Sequence, residues 1–226
     1  RAYDQISHDV CINGNHVTIL LNYSSFSGLT DVTHLGIFIQ PMLVNIPNLN
    51  VLAPTTEKEL CEMLDWALDD CSGASVVLIP GGEIVSGVSS DKFDGEMRYK
   101  TETNGEKVAI IALGDFYQKG ESLAKAIEAE LGFKPTLINP RFASLVDKET
   151  LDGLKNNHKA VITLEDGVLS GGFGEKIASY FGDADIKVKN YGLEKKFYDR
   201  YNPSELLKEL GITNESIISD IKRLLK

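Results

Sequence analysis

The chain has 226 residues, 42% of them hydrophobic and 25% charged, with a formal net charge of −10. That size and balance suit two ordinary α/β domains or one large one, and exclude a disordered chain. An acidic surface repels phosphodiester backbones, and the basic residues are dispersed, so neither sequence-independent nucleic-acid binding nor a membrane role is expected. The longest apolar runs, such as residues 108–113, are strand-sized and fall short of the ~20 residues of a membrane-spanning helix. Cys11, Cys61 and Cys71 are too few and too irregular for a disulfide framework or a metal knuckle. They read as buried apolar side chains in a reducing cytoplasm. His8, His16, His34 and His158 are scattered, so no metal-ligand cluster is legible.

Residues 1–12 have helical character, and with no initiator methionine they read as the inside of a helix whose upstream part is missing. Residues 16–21 (HVTILL) follow as a buried strand. Residues 22–36 form a polar, glycine-containing loop, and after a short apolar segment comes a strand at 49–53. Pro54 ends it. Thr55 or Thr56 can cap the next helix, with Glu59 placed for a capping box. On that helix Leu60, Met63, Leu64, Ala67 and Leu68 recur at helical spacing and define one apolar face. Cys61 is read beside them, and Met63 and Trp66 are read as packing residues. A strand at 74–79 closes the unit at the Pro80-Gly81-Gly82 turn.

Residues 83–106 are polar, rich in Ser, Gly and charge, and read as a linker or connecting hairpin. A fresh alternation then begins: strand 108–113, helix 119–131, strand 135–139, helix 148–156, strand 160–165, helix 172–181 and strand 186–190. Strands separated by helices imply a parallel sheet with crossover helices. Two short helices end the chain at 203–210 and 215–225, the second capped by Asn214. Tyr191, Phe197, Tyr198 and Tyr201 form either an exposed interface or a packed C-terminal crossover. The expected fold is α/β: two three-layer α/β/α units with mainly parallel sheets, the first truncated at its N-terminus. Residues 1–82 form the first unit, 83–106 the linker and 107–226 the second. Gly171-Gly-Phe-Gly174 invites a phosphate-binding reading, but the dinucleotide spacing is absent, so close helix–strand packing is the better explanation.

Several ordered stretches resemble the 1-deoxy-D-xylulose-5-phosphate synthase family of the transketolase superfamily. Arg1-Ala-Tyr-Asp-Gln-Ile-Ser-His-Asp-Val10 is similar to part of its pyrimidine-binding domain. Thr33-His-Leu-Gly36 resembles its Thr-His-Gln-Gly turn, and Ile46-Pro-Asn-Leu-Asn-Val-Leu-Ala-Pro54 its Ile-Pro strand. Pro140-Arg-Phe-Ala-Ser-Leu-Val-Asp147 and the stretch from Thr163 to Gly174 resemble its C-terminal domain. Together they cover nearly the whole chain.

The resemblance implies a thiamine-diphosphate- and Mg²⁺-dependent transferase that joins pyruvate to glyceraldehyde 3-phosphate with loss of CO₂. It also implies a cytoplasmic homodimer. The family's activating glutamate and Mg²⁺ motif fall upstream of Arg1, so this chain is expected to bind no cofactor by itself and to be inactive alone. Glu165 does not take the glutamate's place. His34 matches the family histidine that faces the reaction, and an imidazole can donate a proton near neutral pH. The family's acidic residue falls at Thr30, so Asp31 is a candidate substitute through a shifted loop. Two phosphate-binding arginines of the family fall at Tyr23 and Gly81; either Lys58 and Arg98 replace them, or the acceptor is not glyceraldehyde 3-phosphate. Two other readings remain: a different transketolase-like or 2-oxoacid-dehydrogenase-like subunit, and a non-catalytic dimerisation module.

Overall fold

Residues 108–112 are all fully buried, and their side chains alternate between two cores. Ala109 and Ile111 face one; Val108, Ile110 and Ala112 face the other. A strand without a solvent face belongs inside a parallel sheet. The computed structural model describes residues 2–22, 26, 30–81, 85–86 and 92–226, and places this strand at the centre of five.

The first part of the chain contains α1 (Tyr3–Gln5, continuing as a π-helix Ile6–Cys11), β1 (Thr18–Asn22) and α2 (Ile39–Leu43). It continues with β2 (Leu49–Leu52), α3 (Glu57–Asp69) and β3 (Ala74–Ile79). Next come β4 (Lys100–Thr103), β5 (Lys107–Ala112), a 3₁₀ turn (Gly114–Phe116), α4 (Tyr117–Leu131) and β6 (Thr136–Asn139). The chain ends with α5 (Lys148–Leu154), β7 (His158–Val168), α6 (Phe173–Tyr180), β8 (Lys187–Leu193), α7 (Pro203–Glu209) and α8 (Asn214–Leu224). β1, β3 and β2 form a parallel sheet in that spatial order. The second sheet runs β4-β6-β5-β7-β8, all parallel except β4, which is antiparallel to β6. This is the expected α/β class.

α3 shows how local sequence sets packing. Thr56 caps it by accepting the Glu59 amide at 3.2 Å, and Glu59 reaches back to the Thr55 amide at 2.9 Å. Met63 and Ala67 are then buried against Leu52, Val77, Phe93 and Phe142. On the other face of this sheet, Val51, Val76 and Leu78 join a core that also holds Ile111, Leu151, Phe173 and Ile177. One core serves both sheets.

The join is also hydrogen-bonded. Residues 141–143 lie along β2: the Ala53 amide donates to the Arg141 carbonyl and the Ala143 amide to the Val51 carbonyl, both at 2.8 Å. Above them, buried Glu59 accepts from Asn139 Nδ2 at 3.1 Å and from Arg141 Nε at 3.2 Å. Arg141 holds a left-handed φ of 61° to make these contacts.

Several expectations need correction. The stretch 83–106 is not wholly a connection, because its end forms β4 on the edge of the second sheet. Cys61 is exposed while Cys11 and Cys71 are buried. It lies about 100° around α3 from Leu60, off the buried stripe. Leu68 is 53% exposed, so that stripe is narrower than its spacing implied. α8 is capped by Thr213, which accepts the Ser216 amide; Asn214 is the first helical residue and donates to Ser122 Oγ. Tyr191 and Tyr198 are buried in the crossover, whereas Phe197 is 81% exposed. Gly82 lies outside the described residues.

Candidate functional site

Between β1 and α2 the chain makes a turn closed by the His34 amide donating to the Asp31 carbonyl at 2.9 Å. Asp31 and His34 are exposed. The Thr33 hydroxyl lies 3.1 Å from His34 Nδ1, and nothing among the described residues bonds Nε2. Gly36 and Ile37 behind the turn are buried, and the Ile37 carbonyl accepts the Val168 amide at 3.1 Å. The backbone is anchored while the imidazole faces outward.

Thr30, Asp31 and His34 therefore share one turn, with Thr30 half-buried at its start. Gly81 follows β3, and its amide donates to Asp115 Oδ2 at 2.9 Å. Tyr23 lies outside the described residues. Both candidate replacement cations have carboxylate partners. Lys58 pairs with Glu62 at 3.8 Å, and Arg98 with Asp94 and Glu96 at 2.9 Å each.

The sequence did not single out Asp115 or Asp166. With Gln40, Pro54 and Pro80 they line a cavity of about 20 Å³ at the carboxyl ends of β2, β3 and β5 and beside β7. That end of a parallel sheet is where α/β folds place their ligands. Lys119 is the nearby cation: burial lowers its pKa, and the Asp166 carboxylate opposes that shift. No local pattern could have revealed the pairing, since Asp115 and Gly81 sit in different sheets' loops. A roomier groove of about 810 Å³ runs between β4 and α5, lined by residues such as Tyr99, Thr136 and His158. Of the candidate site residues it includes Arg98 alone.

Glu165 has a structural task. It is fully buried, and Oε2 accepts the Phe173 amide and Oε1 the Gly174 amide, both at 2.8 Å. Burial pushes its pKa up to about 7, against the pull of those two amides. A Cβ on Gly172 would lie 2.5 Å from Glu165 Oε2, and one on Gly174 2.5 Å from Thr163 Oγ1. The glycines permit close helix–strand packing, and the protein's own carboxylate takes the amides at the α6 N-terminus. Trp66 likewise packs edge-on against Phe93 and Phe142.

The sequence profile described as "Transketolase, C-terminal domain" matches residues 95–217, more than half of the chain. That described as "Transketolase, pyrimidine binding domain" matches residues 1–84. The chain belongs to the transketolase family. This transketolase-family chain is 32% identical over 227 residues to the 1-deoxy-D-xylulose-5-phosphate synthase of Clostridium tetani, covering 100% of the chain and 36% of that relative. It is 33% identical over 231 residues to the synthase of Syntrophus aciditrophicus, covering 100% of the chain and 35% of the relative. It thus spans about a third of the curated relatives it matches. Among solved structures, "Split gene transketolase, inactive beta4 tetramer" superposes with a TM-score of 0.85 at 22% identity, covering 100% of this chain and 72% of that one. Transketolase from Leishmania mexicana gives 0.74 at 17% identity, covering 95% of this chain and 31% of that one. These two likenesses concern the fold.

Among the described residues of this transketolase-family chain, no three His, Cys, Asp or Glu side chains stand together as metal ligands. Mg²⁺ with a diphosphate needs an octahedral set of oxygens that includes carboxylates. No helix among them is long and apolar enough to cross a membrane.

Proposed function

We propose that this chain is the C-terminal part of a thiamine-diphosphate- and Mg²⁺-dependent transferase, a 1-deoxy-D-xylulose-5-phosphate synthase joining pyruvate to glyceraldehyde 3-phosphate with loss of CO₂. The similarity to synthases along the whole chain supports the reading. The observation that carries it at the level of chemistry is the exposed His34 imidazole on an anchored turn. With Nδ1 engaged by Thr33, Nε2 is the nitrogen that meets substrate and moves a proton to or from its oxygen. Asp31, on the same turn, faces the same solvent and adds negative charge beside it. Thr30 and Gly81 shape the aldehyde side through their backbones, and the resemblance adds Tyr23 as a third substrate-binding position. The residues that hold the cofactor and Mg²⁺ lie outside this chain, so the chain alone is inactive. Residues 1–82 belong to the pyrimidine-holding part and 107–226 to the part that supports a homodimer. Residues 83–106 connect them, ending as β4. The working location is the cytoplasm.

The test uses the assembled enzyme, with this chain joined to its cofactor-holding portion, supplied with pyruvate and either phosphorylated or unphosphorylated aldehydes. A preference for the phosphorylated aldehyde is expected, together with a loss of kcat of about 10²–10⁴ in His34→Ala. Equal efficiency with both aldehydes would remove the synthase reading in favour of another transketolase-like reaction. One observation favours a second reading. The split-gene transketolase chain is the nearer of the two solved structures in length, 72% of it being covered. In that reading this chain is a subunit whose cofactor-holding partner is a separate polypeptide, and co-purification of such a partner tests it.

A further inference from the structure

The turn that carries His34 is gripped by consecutive residues from near the other end of the chain. Asp199 Oδ1 accepts the Val32 amide at 3.2 Å. The Arg200 amide donates to the Thr30 carbonyl at 2.9 Å. The Tyr201 hydroxyl donates to the Phe26 carbonyl at 2.6 Å. Two positions earlier, the Phe197 ring meets Phe38 edge-on at 5.8 Å. The two segments run antiparallel, so contacts at Phe26, Thr30, Val32 and Phe38 bracket His34 from both sides.

Core packing explains only part of this arrangement: Phe26 and Tyr198 are buried in one core, with Phe38 and Tyr201 packed against it. Phe197, Asp199 and Arg200 are exposed, so they remove little surface from water. Arg200 also adopts a left-handed φ of 49°, a conformation rarely held by a non-glycine residue unless its surroundings fix it. Each bond is made to main-chain atoms of the turn, and none touches the His34 ring. Burial, with the Asp166 carboxylate adding to it, pushes the Tyr201 phenol up to about 12, so it remains a donor at neutral pH.

We propose that Asp199–Tyr201 is a clamp that positions His34, with Asp199 as the positioning residue acting through the Val32 amide. The clamp rests on geometry alone; its consequence for turnover rests on the reading of His34 given above.

The experiment compares Asp199→Ala, Asp199→Asn and Tyr201→Phe in the full chain. It follows amide exchange at Val32 and the NMR signals of the His34 ring. Asp199→Ala should speed Val32 exchange roughly tenfold or more and shift the His34 signals. Asp199→Asn keeps an oxygen acceptor and should restore both. In the assembled enzyme Asp199→Ala should lower kcat by roughly tenfold to a hundredfold with KM for pyruvate nearly unchanged. Unaltered Val32 exchange and His34 signals in Asp199→Ala would overturn the clamp, as would equal effects from the Ala and Asn variants. Should Asp199→Ala fail to fold, Tyr201→Phe probes the other end, and unmoved His34 signals there would overturn it too. If the clamp variants move His34 but neither they nor His34→Ala alter turnover, the clamp stands and the catalytic reading of His34 falls.

Discussion

Glu59 was legible in the sequence as a helix-capping residue, and the structure gives it a second task. Its carboxylate takes Thr55, Asn139 and Arg141 while only 6% exposed, and Arg141 is 5% exposed. Removing one partner of a buried ion pair leaves the other charge uncompensated. Glu59→Gln should therefore destabilise the protein by about 3 kcal/mol in urea denaturation. The nearest remaining carboxylate, Asp94, lies 3.9 Å from Arg141 and is itself partly exposed. An unchanged denaturation midpoint would show that the pair contributes nothing.

Half-buried His158 and buried Glu165 titrate in opposite senses. His158 donates from Nδ1 to the Leu154 carbonyl at 3.1 Å, so Nε2 is the acceptor for the Thr136 hydroxyl at 2.8 Å. Burial lowers its pKa, against the pull of the Leu154 carbonyl. The unfolded state then binds more protons, and stability is lost as pH falls through the ordinary histidine range. Glu165, raised from 4.5 to about 7, binds more protons in the folded state, so stability is lost as pH rises across that window. Thermal melts between pH 5 and 7.5 should show Glu165→Gln tilting the profile toward higher pH relative to the parent, and His158→Gln tilting it toward lower pH. Parallel profiles for all three proteins would contradict both assignments.

At the scale of elements, strands buried on both faces and helices with an apolar stripe announced themselves by period. β4 did not. Its residues Lys100–Thr103 are polar and none is buried, and only pairing with β6 makes them a strand. α8 had two capping residue types in succession, and Asn214 was already engaged with Ser122, which left Thr213 to cap. The α6 N-terminus was read correctly as close packing, because Gly172 and Gly174 stand where no Cβ fits. Gly174→Ala should cost roughly 1–3 kcal/mol in melting experiments, since its methyl would press on Thr163 and Asn190. No loss of stability would mean that α6 can move away from β7 freely.

For the whole molecule, the core shared by both sheets makes the pyrimidine-side residues depend on the C-terminal ones. It also sets what the chain can do alone. With the cofactor held by residues outside this chain, as proposed above, calorimetric titration of the isolated chain with thiamine diphosphate and Mg²⁺ should show no micromolar binding. A micromolar isotherm would contradict the division of labour proposed above.

The sequence by itself determined the α/β class, the order of most elements and a helix capped at Thr55 or Thr56, and its resemblance to a family singled out Asp31 and His34 in the loop at 22–36. Those features follow from apolar period, turn chemistry and short motifs, which act between near neighbours. Only the tertiary structure decided that Glu59 meets Asn139 80 residues away, that Asp115 holds Gly81, and that Asp199 holds Val32 across 167 residues. Such partners leave no local pattern, because a hydrogen bond between distant segments is selected by how two sheets pack and not by the spacing of residues along the chain.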